Sequence, residues 1–474
     1  MAEKDDYIKA LEDELSASLE REKKLSEEEL TFRALAAKKI KKSKLFQNVI
    51  SDPNSKAGKI VRAPRSVYRL ISNPEVRKSL LQKKTVNDVK VSETKINHFL
   101  DPWLVNHDKR KQIALQALKD GKKLALYFVE KPDSSTFRYR CYNTFTATKN
   151  SKKWQAVYFF KDEVKTVEEL LPKSNILIFG RQSGQEKTVA KLVAAAHEHH
   201  IEAGLDIDDL VFDMKYLDMM LDTIGEKVNQ SYWLAYFASV QAMARQVDFF
   251  ITTNQFLVDK LQSSYDKPCA IIKNSLNEEQ VSASRAYCAR KTPHDELVLG
   301  YFSGSPTHAK DFAVAEPGII KFLQMHDNVI LNVVGFMRFS NETKKLVDSG
   351  RIKFLPMVDF RKLQRLMSEV DINLAPLVEN DFTNCKSELK FFEAAVVETP
   401  TIASPTYAFK QAIKDGETGL LAKPNEWFDK LELLYNHPDK ARKIALAAKD
   451  YCLKTYHGKA FLTQVERAYD ALAK

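Results

Sequence analysis

The sequence predicts two consecutive α/β domains, each built on a parallel, doubly wound sheet, with a helical extension in front of them. From about residue 95 onward, short apolar runs alternate with helical patterns, and this alternation starts again near residue 297 after a polar stretch. The 474 residues are too many for one simple core. Since 44% of them are hydrophobic, there is enough apolar surface for two packed domains.

The first 90 residues form the predicted extension. Residues 1–30 carry 5 basic and 11 acidic side chains, whereas residues 31–84 carry 15 basic and only 2 acidic ones. The leucines of residues 1–30 recur at helical spacing, so a homo-oligomer contact through this segment is one open interpretation. In 31–84 the basic residues alternate with apolar ones, which suits an anionic membrane surface or a partner. A solvated basic helix packed on the body is the alternative, and RNA is less favoured because aromatic residues are few.

The first α/β domain is expected over residues 91–285. Its helices include 187–199 and 231–245. The predicted strands are Lys123–Val129, Trp154–Phe159, Asn175–Phe179, His200–Leu205, Val247–Ile251 and Cys269–Lys273.

The second α/β domain is expected over residues 286–458, after a polar linker at 277–296. Helices are predicted at 358–369, 387–397 and 425–454, and the helix 459–474 is expected to pack back on the first domain. The predicted strands are Leu297–Phe302, Val329–Val334, Ile352–Leu355, Ile372–Leu374 and Thr401–Ala403.

Composition excludes several classes of protein. No apolar run approaches the ~18 residues of a membrane-spanning helix, and the charged N-terminus does not have the pattern of a signal peptide, so we expect a cytoplasmic protein. Residues 31–84 carry a charge of +13 and residues 85–474 only +3 of the net +10, which argues against a nucleic-acid groove in the α/β domains. The five cysteines are scattered without a CxxC pair, which predicts buried thiols rather than disulfides or zinc ligands.

A loop with small residues follows the first strand of the second domain. Ligands bind at the carboxyl ends of strands in such sheets, and a turn leading into a helix offers backbone N–H groups to a phosphate. The sequence around the loop is typical of many simple turns as well. The residues that could contact a diphosphate, through backbone N–H groups or side chains, are Ser303, Gly304, Ser305, Thr307, His308 and Lys310.

The second motif spans residues 384–395. In a helix starting near Ser387, the side chains of Lys386, Lys390 and Glu393 would lie on one face. Two lysines and a carboxylate suit a nucleoside diphosphate, with the lysines on phosphate and the carboxylate on ribose hydroxyls. An ion pair between Lys390 and Glu393 is the structural alternative.

Carboxylates cluster after a strand of the first domain, at Asp206, Asp208 and Asp209. Crowded carboxylates raise one another's pKa or bind a cation, and they also bind sugar hydroxyls. A helix N-cap cluster is the structural alternative. Residues 180–188 resemble a phosphate-binding loop, but the glycine and lysine spacing is wrong, so only Arg181 is retained as a residue of the cleft.

The order of motifs resembles the GT-B nucleotide-sugar glycosyltransferases, in particular glycosyltransferase family 4. The resemblance covers about residues 120–474 and is strongest from 247 onward. It rests on residues 252–257, 271–277, 299–311, 333–335, 371–377, 390–404 and 415–421.

The resemblance implies a GT-B fold in which two Rossmann-like domains face a central cleft. It implies that Glu393 holds the ribose, and that Lys390 and the helix start, with Lys386, Ser387 and Leu389, lie near the diphosphate. Two departures stand out: the first of two glutamates usual in the family falls at Cys385, and Glu398 occupies a usual glycine position. Either Glu388 contacts the sugar in place of the missing glutamate, or the donor is bound differently.

The resemblance further implies a retaining hexosyltransferase that needs no cofactor or metal. The expected catalytic residues are Glu388, Lys390 and Asp208. The expected acceptor-binding residues are Arg138, Arg181, Asp206, Asp209 and Asn274.

The expected reaction moves a sugar from a nucleoside-diphosphate sugar to a cell-surface polysaccharide, such as cell-wall glycan, or to a lipid-linked glycan. It would take place on the cytoplasmic face of the cell membrane, where the protein would be peripheral. Two alternatives remain open: the same chemistry on a protein acceptor, and a non-catalytic GT-B scaffold subunit.

Overall fold

The computed structural model describes residues 105–129, 136–181, 185–224, 230–289, 295–304, 309–335, 340–355 and 358–473. The predicted N-terminal extension 1–90, including its membrane, partner and oligomer roles, lies outside these residues. None of the helices in the described ranges is long and apolar enough to cross a membrane.

Two six-stranded parallel sheets organise the chain, so the predicted fold class is confirmed for the described residues. The first sheet has the order β2-β1-β3-β4-β5-β6 and the second the order β12-β11-β10-β7-β8-β9. The strands are β1 (Lys123–Val129), β2 (Trp154–Phe160), β3 (Ile176–Gly180), β4 (Glu202–Asp206), β5 (Phe249–Thr252), β6 (Cys269–Ile271), β7 (Leu297–Ser303), β8 (Val329–Gly335), β9 (Ile352–Leu355), β10 (Ile372–Ala375), β11 (Thr401–Ala403) and β12 (Leu420–Leu421).

Helices cover the sheets and connect their strands. A π-helical turn, Arg138–Tyr142, precedes α2. The helices are α1 (His107–Lys119), α2 (Asn143–Thr148), α3 (Val164–Leu170), α4 (Glu186–Glu198), α5 (Leu217–Ile224), α6 (Gln230–Gln246), α7 (Gln255–Tyr265), α8 (Glu278–Cys288), α9 (Ala309–Ala313), α10 (Glu316–Met325), α11 (Asn341–Asp348), α12 (Phe360–Ser368), α13 (Asp381–Asn384), α14 (Leu389–Ala395), α15 (Tyr407–Ala412), α16 (Trp427–Asn436), α17 (Pro438–Tyr456) and α18 (Gly458–Leu472).

Most strands are buried because their sequences are largely apolar, as is usual for parallel sheets covered on both faces, whereas the edge strands β6 and β9 are partly exposed. In β1 every residue after Lys123 is buried, and β2 is buried throughout. We call the first sheet with its helices the first lobe, and the second sheet with its helices the second lobe. Each lobe has its own apolar core.

Two predicted segments differ from the structure. The polar stretch 277–296 contains helix α8, which begins at an Asn277 N-cap whose side chain accepts a hydrogen bond from the Gln280 backbone N–H. The predicted helix 425–454 is two helices, because Pro438 begins α17 and ends the run at His437.

The last helix, α18, returns to the first lobe. Its side chains from Phe461 to Leu472 join the apolar core of the first sheet. The hydroxyls of Tyr469 and Tyr127 are 2.9 Å apart, and the Trp154 indole N–H donates to Asp470 over 2.9 Å. The chain therefore crosses between the lobes twice, once before α8 and again at α18.

Candidate active site

A cavity of about 180 Å³ lies between the lobes. The first lobe contributes residues that follow β1, β4 and β6, and the second contributes the turn before α14 and the helix itself. The lining residues are Thr136, Tyr139, Asp208, Asp209, Asn274, Leu377, Lys386, Ser387, Leu389, Lys390 and Phe409. We call this space the interlobe cavity.

The Lys390 ammonium group is the most unusual group in this cavity. Its Nζ is buried and has no hydrogen-bond partner in the described part of the chain. The Tyr301 ring centroid is 5.3 Å away. Burial lowers the pKa of Lys390, Asp311 opposes that shift, and Lys386 adds to it. A buried, unsatisfied cation facing a cavity is suited to an anionic ligand group.

A network of charged side chains lies at the wall of the interlobe cavity opposite Lys390. Asp209 accepts from Lys386 Nζ at 2.7 Å and from Arg181 Nη1 at 2.6 Å, so it joins the two lobes. Burial opposes ionisation of Asp209, but Lys386 and Arg181 outweigh it and lower the pKa of this carboxyl. Asp209 is therefore ionised and fixed in position.

Asp208 lies next to this network but is not satisfied by it. Its Oδ1 is 3.4 Å from Arg181 Nε, yet this buried oxygen accepts no hydrogen bond within the described residues. Burial raises the pKa of Asp208 against the charge of Arg181, and the Asp209 carboxylate raises it further. The cavity thus contains an unsatisfied carboxylate oxygen as well as an unsatisfied ammonium group.

A second buried hydrogen-bond network supports the cavity wall between Asp208 and Lys390. Arg140 binds both oxygens of Asp206, at 2.8 and 3.2 Å, and donates to Asn274 Oδ1 over 3.1 Å. Asn274 in turn donates to Ser387 Oγ over 2.8 Å across the lobes. Burial raises the pKa of Asp206 to about 6 despite the opposing charge of Arg140. Asp206 therefore supports the site from behind and does not line the cavity.

Glu393 is held by three donors, two from the first lobe. Its Oε1 accepts from Arg138 Nη2 and from Gln280 Nε2, each at 3.2 Å, and from the Tyr139 hydroxyl. The Arg138 guanidinium lies between the rings of Tyr139 and Phe360, at 4.1 and 4.7 Å from their centroids. We call Arg138, Tyr139, Gln280 and Glu393 the Glu393 cluster.

This cluster changes two predictions. The Lys390–Glu393 ion pair offered as the structural alternative is wrong, because Glu393 pairs with Arg138 of the first lobe. Arg138, predicted to bind acceptor, is only 4% exposed and is engaged by Glu393. Glu393 is 2% exposed and does not line the interlobe cavity, so its ribose contact stays a prediction that requires this cluster to rearrange.

Other predicted residues are placed as follows. Glu388 is buried away from the cavity, with Lys273 Nζ 3.8 Å from its Oε1. Ser303 is buried at the end of β7, Gly304 is exposed, and Lys310 donates to the backbone carbonyl of Asp222 across the lobes. Ser305, Thr307 and His308 lie outside the described residues. Lys386, Ser387, Leu389, Lys390, Asp208, Asp209 and Asn274 are brought together at the cavity.

The sequence departures have structural counterparts. Glu398 adopts a left-handed backbone with φ of 58°, which explains why a glycine suits this position, and its carboxylate pairs with Lys449 Nζ at 2.6 Å. Cys385 is fully buried, as are Cys141 and Cys452, while Cys269 and Cys288 are half-buried. No group of three or more His, Cys, Asp or Glu side chains within the described ranges is placed to hold a metal ion.

Several site residues were not found by sequence analysis. Tyr139, Arg140 and Gln280 carry buried contacts, and Thr136, Leu377 and Phe409 line the cavity. The alternation of arginine and tyrosine over 138–140 was a usable signal, because such residues are rarely buried without a partner. Gln280 gave no signal, since its partner is 113 positions away.

Part of the second lobe matches a family model, and solved structures align with about three quarters of the chain. Residues 298–437 match the family model of glycosyl transferases group 1. A comparison with curated protein sequences found no match.

Solved structures that align with most of this chain include WaaG, HepE and sucrose-phosphate synthase. WaaG, a glycosyltransferase involved in lipopolysaccharide biosynthesis, aligns with a TM-score of 0.50 and 12% identity over 74% of this chain and 99% of WaaG. HepE of Anabaena, solved with UDP and glucose, aligns with a TM-score of 0.49 and 13% identity over 73% of this chain and 100% of HepE. Sucrose-phosphate synthase of Thermosynechococcus elongatus aligns with a TM-score of 0.49 and 13% identity over 74% of this chain and 99% of the synthase.

The resemblance to GT-B glycosyltransferases is therefore confirmed. The chain has the GT-B fold, and its second lobe has the sequence pattern of a group 1 glycosyltransferase.

Proposed function

We propose that this protein transfers a sugar from a nucleoside-diphosphate sugar to a glycan acceptor, with retention of configuration at the anomeric carbon. The observation that carries the proposal is the buried Lys390 ammonium group, which has no hydrogen-bond partner in the described residues and faces a cavity between two GT-B lobes. A diphosphate oxygen would satisfy this cation, with the Ser387 hydroxyl and Lys386 beside it.

The chemistry follows from charge that develops on the leaving group. The bond between the anomeric carbon and the diphosphate breaks while a new bond to the acceptor oxygen forms on the same face. The acceptor proton passes to the leaving diphosphate, so no protein nucleophile is needed. Lys390 and Lys386 stabilise the negative charge as it grows, and the surrounding low dielectric strengthens their effect.

The carboxylates of the first lobe would bind the transferred sugar and the acceptor. Asp208 offers an unsatisfied oxygen to a hydroxyl of the sugar or the acceptor. Asp209, held by Arg181 and Lys386, ties the acceptor side of the cavity to the phosphate side. In this proposal Asp208 orients a substrate, and metal is not required.

The acceptor and location belong to the same proposal. The basic, apolar-interleaved segment 31–84 supports a peripheral position on an anionic cytoplasmic membrane face, where cell-surface polysaccharides and lipid-linked glycans are extended. Comparing the full chain with a chain that begins at residue 85 in phosphatidylglycerol vesicle sedimentation tests this part. Equal sedimentation of the two would reject the membrane role without affecting the donor site.

A thermal-shift panel of nucleotide sugars tests the donor. Wild-type protein should be stabilised selectively by one nucleoside-diphosphate sugar, because a ligand that binds the native state raises its stability by mass action. Lys390→Met should lose this stabilisation while remaining folded. A flat response of the wild type to every nucleotide sugar would reject the enzyme proposal in favour of a scaffold role.

A further inference from the structure

An exposed aromatic surface lies on the first two turns of helix α6. Tyr232 is 54% exposed, and Trp233 and Tyr236 are half-buried. The rings of Tyr232 and Tyr236 are nearly parallel, at 16° with centroids 6.1 Å apart. Trp233 packs edge-on against both, at 5.4 and 5.7 Å. We call these three residues the aromatic cluster.

The topology of the first sheet fixes where this cluster lies. Helix α6 leads into β5, and β4 and β5 are parallel neighbours. A helix that leads into a parallel strand begins near the carboxyl edge of the sheet, since the strand that follows starts at the opposite edge. The carboxyl ends of β3 and β4 place Arg181, Asp208 and Asp209 at that same edge. The aromatic cluster therefore lies on the same side of the lobe as the interlobe cavity.

Electrostatics agrees with this placement. Burial raises the pKa of the Tyr236 phenol, Arg181 opposes the shift, and Asp208 and Asp209 both add to it. Tyr236 is therefore close enough to interact with the charges at the cavity wall. It connects that wall to the exposed ring of Tyr232.

We propose that the aromatic cluster is a saccharide subsite for the acceptor, on which a pyranose ring stacks while a hydroxyl of the adjoining sugar reaches Asp208 Oδ1, the oxygen that accepts no hydrogen bond in the described residues. This inference rests on the proposed glycosyltransferase function. The C–H groups on one face of a pyranose carry partial positive charge and pair with the negative face of an aromatic ring. Sugar hydroxyls are donors that a buried carboxylate oxygen can accept.

A membrane surface fits the cluster less well. Asp218 and Asp222 lie on the neighbouring helix α5, which packs against α6, and Asp208 and Asp209 lie at the cavity. These carboxylates would repel anionic lipid and would be costly to bring into a headgroup layer. Saccharide hydroxyls, in contrast, are complementary to carboxylates and to aromatic faces together.

Transfer assays with defined acceptors test the subsite. The probes are methyl α- and β-glycosides of glucose, galactose, N-acetylglucosamine and N-acetylgalactosamine, with saturation-transfer NMR as the binding readout. Tyr232→Ala should raise the acceptor KM about tenfold and weaken the NMR signal, while Tyr232→Phe should retain both. Leu234→Ala, at a 51% exposed position on the same helix, is the matched control and should behave as wild type.

Binding of UDP and GDP, measured by calorimetry, separates the two proposals. Loss of glycoside binding in Tyr232→Ala with unchanged nucleotide binding supports the subsite. Wild-type protein that binds no glycoside, or an acceptor KM equal in wild type and Tyr232→Ala, would overturn it. Reduced vesicle sedimentation of Tyr232→Ala with unaltered glycoside binding would also overturn it, in favour of a membrane contact. Failure of the wild type to bind any nucleotide would instead count against the glycosyltransferase function.

Discussion

The Glu393 cluster and the interlobe cavity share helix α14, but their buried charges differ in one respect. Glu393 accepts three hydrogen bonds, two of them from the first lobe, and is paired with Arg138. Lys390, less than one turn earlier, is half-buried as a residue, but its Nζ is buried and has no hydrogen-bond partner in the described residues. A satisfied buried charge joins structural elements, whereas an unsatisfied one is costly and persists where function requires it.

Tyr139 belongs to both regions, since it lines the cavity and donates to Glu393. The cavity volume of about 180 Å³ is below the ~300–1,000 Å³ typical of small-molecule sites. A whole nucleotide sugar therefore requires more space than this arrangement of the lobes provides. Movement of Tyr139 and Arg138 would enlarge the cavity toward Glu393, so we expect the Glu393 cluster and the interlobe cavity to change together.

Replacing Lys390 should have the largest effect on catalysis. Lys390→Met is expected to lower turnover of the nucleotide sugar by roughly 10²–10³, because one group that stabilises the leaving charge is lost. The same change should raise the free energy of unfolding by about 1–3 kcal/mol, since an unsatisfied buried cation is removed. Steady-state kinetics and urea denaturation measure the two effects.

Lys386→Met is the matched control for that variant. Its ammonium group is already paired with Asp209 at 2.7 Å and is partly exposed, so its loss should not stabilise the protein. If Lys390→Met were less stable than wild type and fully active, Lys390 would be a structural residue.

The Glu393 cluster should respond in the opposite way. Arg138→Met leaves a buried carboxylate without its cation and should lower the free energy of unfolding by about 3–5 kcal/mol. The double variant Arg138→Met with Glu393→Gln should recover most of this loss, because the uncompensated charge is gone. Urea denaturation of the two single variants and the double variant completes a double-mutant cycle. Strictly additive changes in the free energy of unfolding would show that Arg138 and Glu393 are not coupled.

Replacing Asp208 tests whether its unsatisfied oxygen accepts a hydrogen bond from a substrate hydroxyl. Asp208→Asn should lower kcat/KM for transfer about 10–100-fold, the range for one hydrogen bond to a charged group, and leave donor hydrolysis measurable. Asp206→Asn provides the contrast, since Asp206 is paired with Arg140 and its loss should reduce stability. Equal kinetic effects on donor hydrolysis and transfer would remove the distinction between donor and acceptor roles.

The pH dependence should be the smallest of these effects. In the proposed mechanism, Lys390 binds phosphate in its protonated form. Because burial lowers the pKa of Lys390, kcat/KM should fall as the pH rises, and this fall should begin at a lower pH than for an ordinary lysine. A several-fold decline on the alkaline side is expected. Lys390→Arg should abolish that decline, because a guanidinium stays protonated. Persistence of the same alkaline decline in Lys390→Arg would assign it to another group.

The sequence predicted local features better than contacts between the lobes. The bounds of β1, β9 and β11 agree residue for residue, because short runs rich in apolar residues between polar segments define strands. Lys386, Ser387 and Lys390 could be placed near one another because they are close in sequence. The partner of Glu393 could not be predicted, because Arg138 is 255 positions away and reaches it only after both sheets have formed.

The two errors in the second lobe have local causes. The helix predicted from 387 begins at Leu389, because Lys386 and Ser387 form the turn that faces the cavity. The prediction of one helix over 425–454 did not take account of Pro438. Proline in the interior of a helical pattern is a strong helix-breaking signal.

The return of α18 to the first lobe has a consequence for biosynthesis. The hydrogen-bonded pair of Tyr127 and Tyr469 joins residues 342 positions apart, and Phe461 to Leu472 complete the core around β1 and β2. At about 5–20 residues per second on the ribosome, the first lobe waits roughly 20–70 s after Tyr127 is added before its covering helix is made. The first lobe is thus translated before the second lobe but completed after it, and the apolar face that α18 covers stays without that cover during the interval.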